Sequence, residues 1–481
     1  MAAASEESVG ARVGQHFRIS WMLRWFTERL AMSAAPSTPF GRPALACAVI
    51  AGLCWSLFFY YGAHISYSGD DFTILRPLFG EGLGQSLQRT FRPLEYAVAA
   101  LSKAANFPVW LFASALAYIG TALGTLALLR LTSARPIPLW QIFICASTPL
   151  AANTYFQIDT VSQAFANLFS LLLAIETTRC IQAADAVRTA RRAWIVAALA
   201  VLCLASKETT YGLVTLACAL LLLSKGRQVW KPLAVIALAL VLCLSWGVFI
   251  SLHLDAAARE HYGLKNPVYW LFAIVFSLTV AVAPVPTSLV LTGTASQHAG
   301  FLALVVFGVA TSLAAICVYY GPALRRWRER HARSVEPTTV LLVLFLFASL
   351  VPSMFLKAGE LYASQCLPYL KCLLLPRYST PRGAAPAVLG WVVGSLWLVA
   401  SSVNLMFVSV HTGYRASAQE SVPFAQRPTA VLEEIVPRQR RSYSIYSMPS
   451  VGKEEGECRI SRADRSICLP KDIMSGFPHR Q

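Results

Sequence analysis

An all-α integral membrane protein is the fold class this sequence predicts, and three observations predict it. Hydrophobic residues make up 56% of the 481 positions against 14% charged, more apolar surface than a water-soluble core could bury. Apolar runs of about 20 residues recur, each long enough to cross the hydrocarbon as a helix. Strand-like alternation is absent from those runs, which argues against a barrel.

The runs near 44–63, 109–131, 232–252, 301–320, 338–356 and 385–408 stand out. Ahead of them, the stretch 16–32 carries Arg18, Arg24 and Arg29 among Trp21, Leu23, Trp25 and Phe26. This predicts a helix lying on the inner membrane surface rather than a cleaved signal. The net charge of +17 does not point to nucleic acid, because Lys and Arg fall in short clusters between the hydrophobic runs. Those clusters, at the N-terminus, Arg130 and Arg135, 179–192, 225–231, 325–333, and Arg377 and Arg382, belong on the cytoplasmic side by the positive-inside rule. The outer loops then fall near 64–107, 153–159, 206–210, 255–300 and 357–362. About eleven spans follow, with an inner N-terminal segment (1–43), a multispan body (44–410) and an outer C-terminal tail (411–481).

Two stretches need a decision. Residues 194–223 carry Ser206-Lys207-Glu208-Thr209 at their centre and basic clusters at both ends. This predicts two short helices in a hairpin with Lys207 and Glu208 at the outer tip. The 268–283 run, ended by Pro284-Val285-Pro286, reads as a helix in the outer interface, because a crossing there would reverse the following basic cluster. Short interfacial helices are expected in the first outer loop over 83–105. The tail alternates short apolar and polar pieces, consistent with a small strand-bearing unit. Its Cys458 and Cys468 suit a disulfide in an oxidising compartment. Ten other cysteines lie in or beside apolar runs, where cysteine acts as a small hydrophobe.

Acids beside outer helix ends are the informative polar residues in a chain that otherwise avoids them. Asp70 and Asp71 follow the first span and suit a general base, or a base beside a metal ligand; a turn and helix cap is the structural alternative. Arg92, directly before Pro93, projects a guanidinium at the membrane surface and fits a lipid phosphate, or simply the headgroup layer. Lys207 and Glu208 need partners near hydrocarbon, and pairing with each other would make a structural lock. Asp159 either lines the same cavity or caps its helix. Glu360, two residues before Tyr362, lies at a late outer turn. No histidine spacing resembles a metal site.

In order, an acidic pair after the first span, Arg92-Pro93-Leu94, the Ser206-Lys207-Glu208 hairpin, Asn266-Pro267 and Gly359-Glu360-Leu361-Tyr362 resemble the GT-C class of membrane glycosyltransferases. Similar enzymes include O-mannosyltransferases and lipid A aminoarabinose transferase-like proteins. The resemblance covers roughly residues 44–376 and implies a polyprenyl-phosphate-linked sugar donor. It assigns the base to Asp70 or Asp71, phosphate contacts to Arg92 and Lys207, and substrate contacts to Glu208, Asp159, Glu360 and Tyr362. It requires no cofactor, although a divalent cation is compatible with the acids. The short tail lacks the Trp-Trp-Asp signature of oligosaccharyltransferases, which shifts the expected acceptor to a glycan or lipid of the cell envelope, reached from the periplasmic face of a bacterial inner membrane. A transporter or flippase is the rival, and would need polar residues near the bilayer midplane.

Overall fold

The structure, a computed structural model, describes residues 41–62, 92–105, 109–133, 136–156, 160–253, 266–282, 337–355, 360–375 and 385–419, with short pieces between 306 and 318. Every described element is helical. In chain order these are α1 (Gly41–Gly62), α2 (Pro93–Ala105), α3 (Val109–Thr132), α4 (Leu139–Ala146), α5 (Ala152–Tyr155), α6 (Val161–Gln182) and α7 (Ala186–Ser206). They continue as α8 (Tyr211–Lys225), α9 (Trp230–His253), α10 (Pro267–Val282), α11 (Pro337–Phe355), α12 (Glu360–Leu374) and α13 (Ala385–Gln419).

Six described stretches are long and apolar enough to cross a membrane, and the α10 and α11 regions are shorter apolar helices. Leu238, Val241, Leu242 and Val248 of α9 and Val268, Leu271 and Phe272 of α10 are all exposed. Faces this continuously apolar are suited to lipid and not to water. The described residues are those of an all-α membrane protein. The basic N-terminal segment, the Cys458 and Cys468 pair and the tail's expected strands lie outside the described residues.

The buried core is gathered around α6, which packs against α3, α7 and α8. Buried Ser162, Gln163, Asn167, Ser170, Thr177 and Thr178 give α6 a polar character. That is tolerable at the centre of a bundle and costly against lipid.

The 194–223 stretch forms the expected hairpin. α7 stops at Lys207, a 3₁₀ turn over Glu208–Thr210 follows, and α8 returns. At the base Lys225 Nζ donates to the Ala183 carbonyl at 2.6 Å, so the two ends meet again. Beyond Lys225 the chain turns at Gly226, whose φ of 51° suits the residue without a Cβ. The long apolar stretch Glu208–Phe249 is therefore two helices, α8 and α9. The 268–283 run is the helix α10, which packs beside both α11 and α12.

One apolar stretch is interrupted. α4 ends at Ala146, the chain runs through Ser147-Thr148-Pro149-Leu150, and α5 begins at Ala152. α4 docks on α13 through Gly390 and Gly394: a Cβ at Gly390 would lie 2.3 Å from the Trp140 ring, and one at Gly394 2.5 Å from the Phe143 ring. Small residues four apart allow this approach between membrane helices. Beside the interruption is a cavity of about 20 Å³, room for roughly one water. It is lined by Tyr118, Thr121, Thr125, Thr148, Tyr155 and Lys371, among others. Tyr118 and Thr121 stand halfway along α3, so this polar pocket sits at the middle of the bundle's length.

Candidate functional site

At the end of the bundle assigned to the outer side by charge, α2 begins with Pro93 at its first helical position, where a missing N–H costs nothing. The preceding Arg92 carbonyl accepts from Glu95 N–H at 3.1 Å and Tyr96 N–H at 3.4 Å. Arg92 thus stands at the helix entry with its side chain 13% exposed. Glu95, in the first turn where the helix dipole favours an acid, is buried, and one carboxylate oxygen lies 3.7 Å from the Arg92 guanidinium.

The hairpin tip supplies the opposing groups. Lys207 adopts extended backbone (φ −162°, ψ 147°), and its N–H donates to the Cys203 carbonyl at 3.2 Å. Its own carbonyl accepts from Thr210 N–H at 3.2 Å and from Thr210 Oγ1 at 2.9 Å. Glu208 receives Arg92 in two parallel hydrogen bonds, Nε to Oε2 at 3.2 Å and Nη2 to Oε1 at 2.7 Å. This planar fork matches a carboxylate, and equally a phosphate. Lys207, 2% exposed, sits with Nζ 5.8 Å from the centre of the Tyr362 ring, within cation–π range. Glu208 gives both oxygens to Arg92 and also lies in the field of Lys207. Burial works against the Arg92 charge, but Glu208 and Glu95 outweigh it and raise the guanidinium well above its ordinary value. Arg92 is a permanent cation.

A hydrogen-bonded chain ties this tip to the bundle. Thr209 Oγ1 donates to Gln163 Oε1 at 3.4 Å, and Gln163 Nε2 donates to Asn167 Oδ1 at 2.9 Å. Asn167 Nδ2 donates to Ser364 Oγ at 2.8 Å, and Ser364 in turn donates to the Leu361 carbonyl at 2.6 Å. Thr209, Gln163 and Asn167 are all buried, so each link is a satisfied polar group that fixes α6, α12 and the tip together. Tyr362 lies on the same helical turn as Leu361 and Ser364, which explains how it reaches Lys207.

Four of the residues marked by sequence, Arg92, Lys207, Glu208 and Tyr362, are thus brought together from three distant segments. Glu360 is the first residue of α12. Asp70, Asp71 and Asp159 lie outside the described residues. Among the described residues no group of three or more His, Cys, Asp or Glu could hold a metal. Among the described residues the cluster contains two cations and two carboxylates. Sequence reasoning missed the Gln163–Asn167–Ser364 chain. The signal for it was Gln163 and Asn167 one helical turn apart within an apolar stretch. Comparison with protein-family models and with curated protein sequences finds no match for this chain.

Proposed function

We propose that the protein is a GT-C-type glycosyltransferase that moves a sugar from a polyprenyl-phosphate donor to a glycan or lipid acceptor of the cell envelope. It would have about eleven spans, with the site facing the periplasm from a bacterial inner membrane. One observation carries this reading: Arg92, Lys207 and Tyr362 converge at one end of the bundle although they come from the first loop, the hairpin tip and the start of α12. An acceptor hydroxyl attacks the anomeric carbon while the bond to the phosphate oxygen breaks, with inversion. Asp70 or Asp71 takes the hydroxyl proton, and Arg92 and Lys207 stabilise the charge left on the phosphate. Glu208 holds the Arg92 fork until the donor arrives. Glu360 and Asp159 complete the substrate contacts, and a divalent cation is not needed by this scheme.

The test is transfer by purified protein in lipid nanodiscs from a polyprenyl-phosphate sugar, with Asp70→Asn and Asp71→Asn beside the parent. Loss of proton abstraction should slow turnover on the order of 10² to 10⁴-fold in one variant while donor binding survives. A cap would tolerate Asn with about 1 kcal/mol lost at most. Near-normal transfer by both variants would refute the assignment of the base.

The interrupted stretch α4–α5, with its mid-bundle polar cavity, favours a second reading, because broken helices near the midplane are used by transporters. Protein that moves a lipid-linked saccharide across vesicles without cleaving it would support that reading over the first.

A further inference from the structure

Pro149 has no N–H, so the Cys145 carbonyl four residues earlier cannot complete its helical hydrogen bond. Several other groups freed by the interruption are served by a neighbour. Ser147 N–H donates back to the Phe143 carbonyl at 2.9 Å. The Ala146 carbonyl accepts from the Tyr118 hydroxyl, and Leu150 N–H donates to Thr148 Oγ1 at 3.1 Å. The Ser401 hydroxyl donates to the Thr148 carbonyl at 2.7 Å and accepts from Ala151 N–H at 3.3 Å. Lys371 Nζ donates to the carbonyls of both Cys145 and Ser147, at 3.1 Å and 2.5 Å.

Lys371 is 5% exposed. No carboxylate forms an ion pair with it among the described residues. Its charge is answered by carbonyl oxygens at the negative end of α4 and by the Trp397 ring, 5.4 Å from Nζ. A buried lysine without a carboxylate is costly unless the groups around it need a donor, and here two do.

We infer that the C-terminal end of α4 is a cation site, of the class that takes a primary ammonium, which the chain fills with its own Lys371. The tethered ammonium pins the interruption and thereby sets α5, whose Tyr155 lines the cavity beside Lys371. This inference does not depend on the glycosyltransferase reading.

The experiment is chemical rescue in the full-length chain in nanodiscs. Lys371→Ala should unfold roughly 5 °C or more below the parent. Methylammonium chloride should restore at least half of that loss, whereas tetramethylammonium chloride at equal ionic strength, having no N–H to donate, should restore none. An unchanged melting temperature in Lys371→Ala, an absence of rescue, or equal rescue by the two salts would each overturn the proposal. Should Lys371→Ala fail to fold, Lys371→Arg and Lys371→Met take its place. A folded Arg variant beside a misfolded Met variant supports the site, and a Met variant as stable as the parent refutes it.

Discussion

At the residue scale the decisive partner choice is that of Arg92. Two carboxylates face one guanidinium, and the closer, Glu208, is also the more exposed at 34%; it is the member that can leave. Arg92→Lys keeps the charge but loses the planar fork. It should therefore lower kcat/KM for donor on the order of 10-fold, and Arg92→Ala should lower it further; steady-state kinetics at saturating acceptor would show this. Unchanged kinetics in both Arg92→Ala and Lys207→Ala would remove the phosphate role. A group whose pKa is raised on folding stabilises the protein below its ordinary value and loses that only as pH rises through the raised one. For Arg92 both lie far above neutrality, so Arg92→Lys, which keeps a cation there, should show the parent's pH profile between about pH 6 and 9. Sequence alone marked Arg92, Lys207 and Glu208 because charge beside hydrocarbon is rare, and Tyr362 through the family resemblance. It could not say who pairs with whom, since that depends on the side-chain directions set by a 3₁₀ turn.

At the element scale the hairpin over 186–225 was legible, because a charged centre between basic ends leaves few alternatives. The interruption at Pro149 was not read, although Ser147, Thr148 and Pro149 stand together in an apolar stretch. The reason is that the helix capacity of that stretch is decided by Lys371 and Ser401, each more than 220 residues away. The seat of α4 on α13 offers a direct test. Gly390→Ala with Gly394→Ala would press methyl groups into Trp140 and Phe143, costing about 1 to 3 kcal/mol of stability as overpacking does. Unaltered thermal unfolding of this double variant would show that the two helices can separate at no expense.

At the scale of the whole molecule, composition settled the fold class and charge clusters proposed the sides. α10 is the element on which the sidedness turns. Its 16 residues span about 24 Å, short of a hydrocarbon thickness near 30 Å, yet it packs beside two bundle helices. Cysteine labelling in a background without native cysteines should find Arg188 and Arg328 inside, and Gly82 and Lys265 outside. Label reaching Lys265 only from the cytoplasm would refute the reading of 194–223 as two membrane crossings.

The hydroxyl of Ser401 and the ammonium of Lys371 also impose a timetable on biogenesis. When α4 leaves the ribosome, the groups that will satisfy its last carbonyls lie 224 to 253 residues downstream. Until α12 and α13 are synthesised and inserted, that end of α4 must be served by water or by the translocation machinery, because lipid offers it nothing. The N-terminal half therefore cannot mature ahead of the C-terminal half, and the last helices close the assembly rather than decorate it.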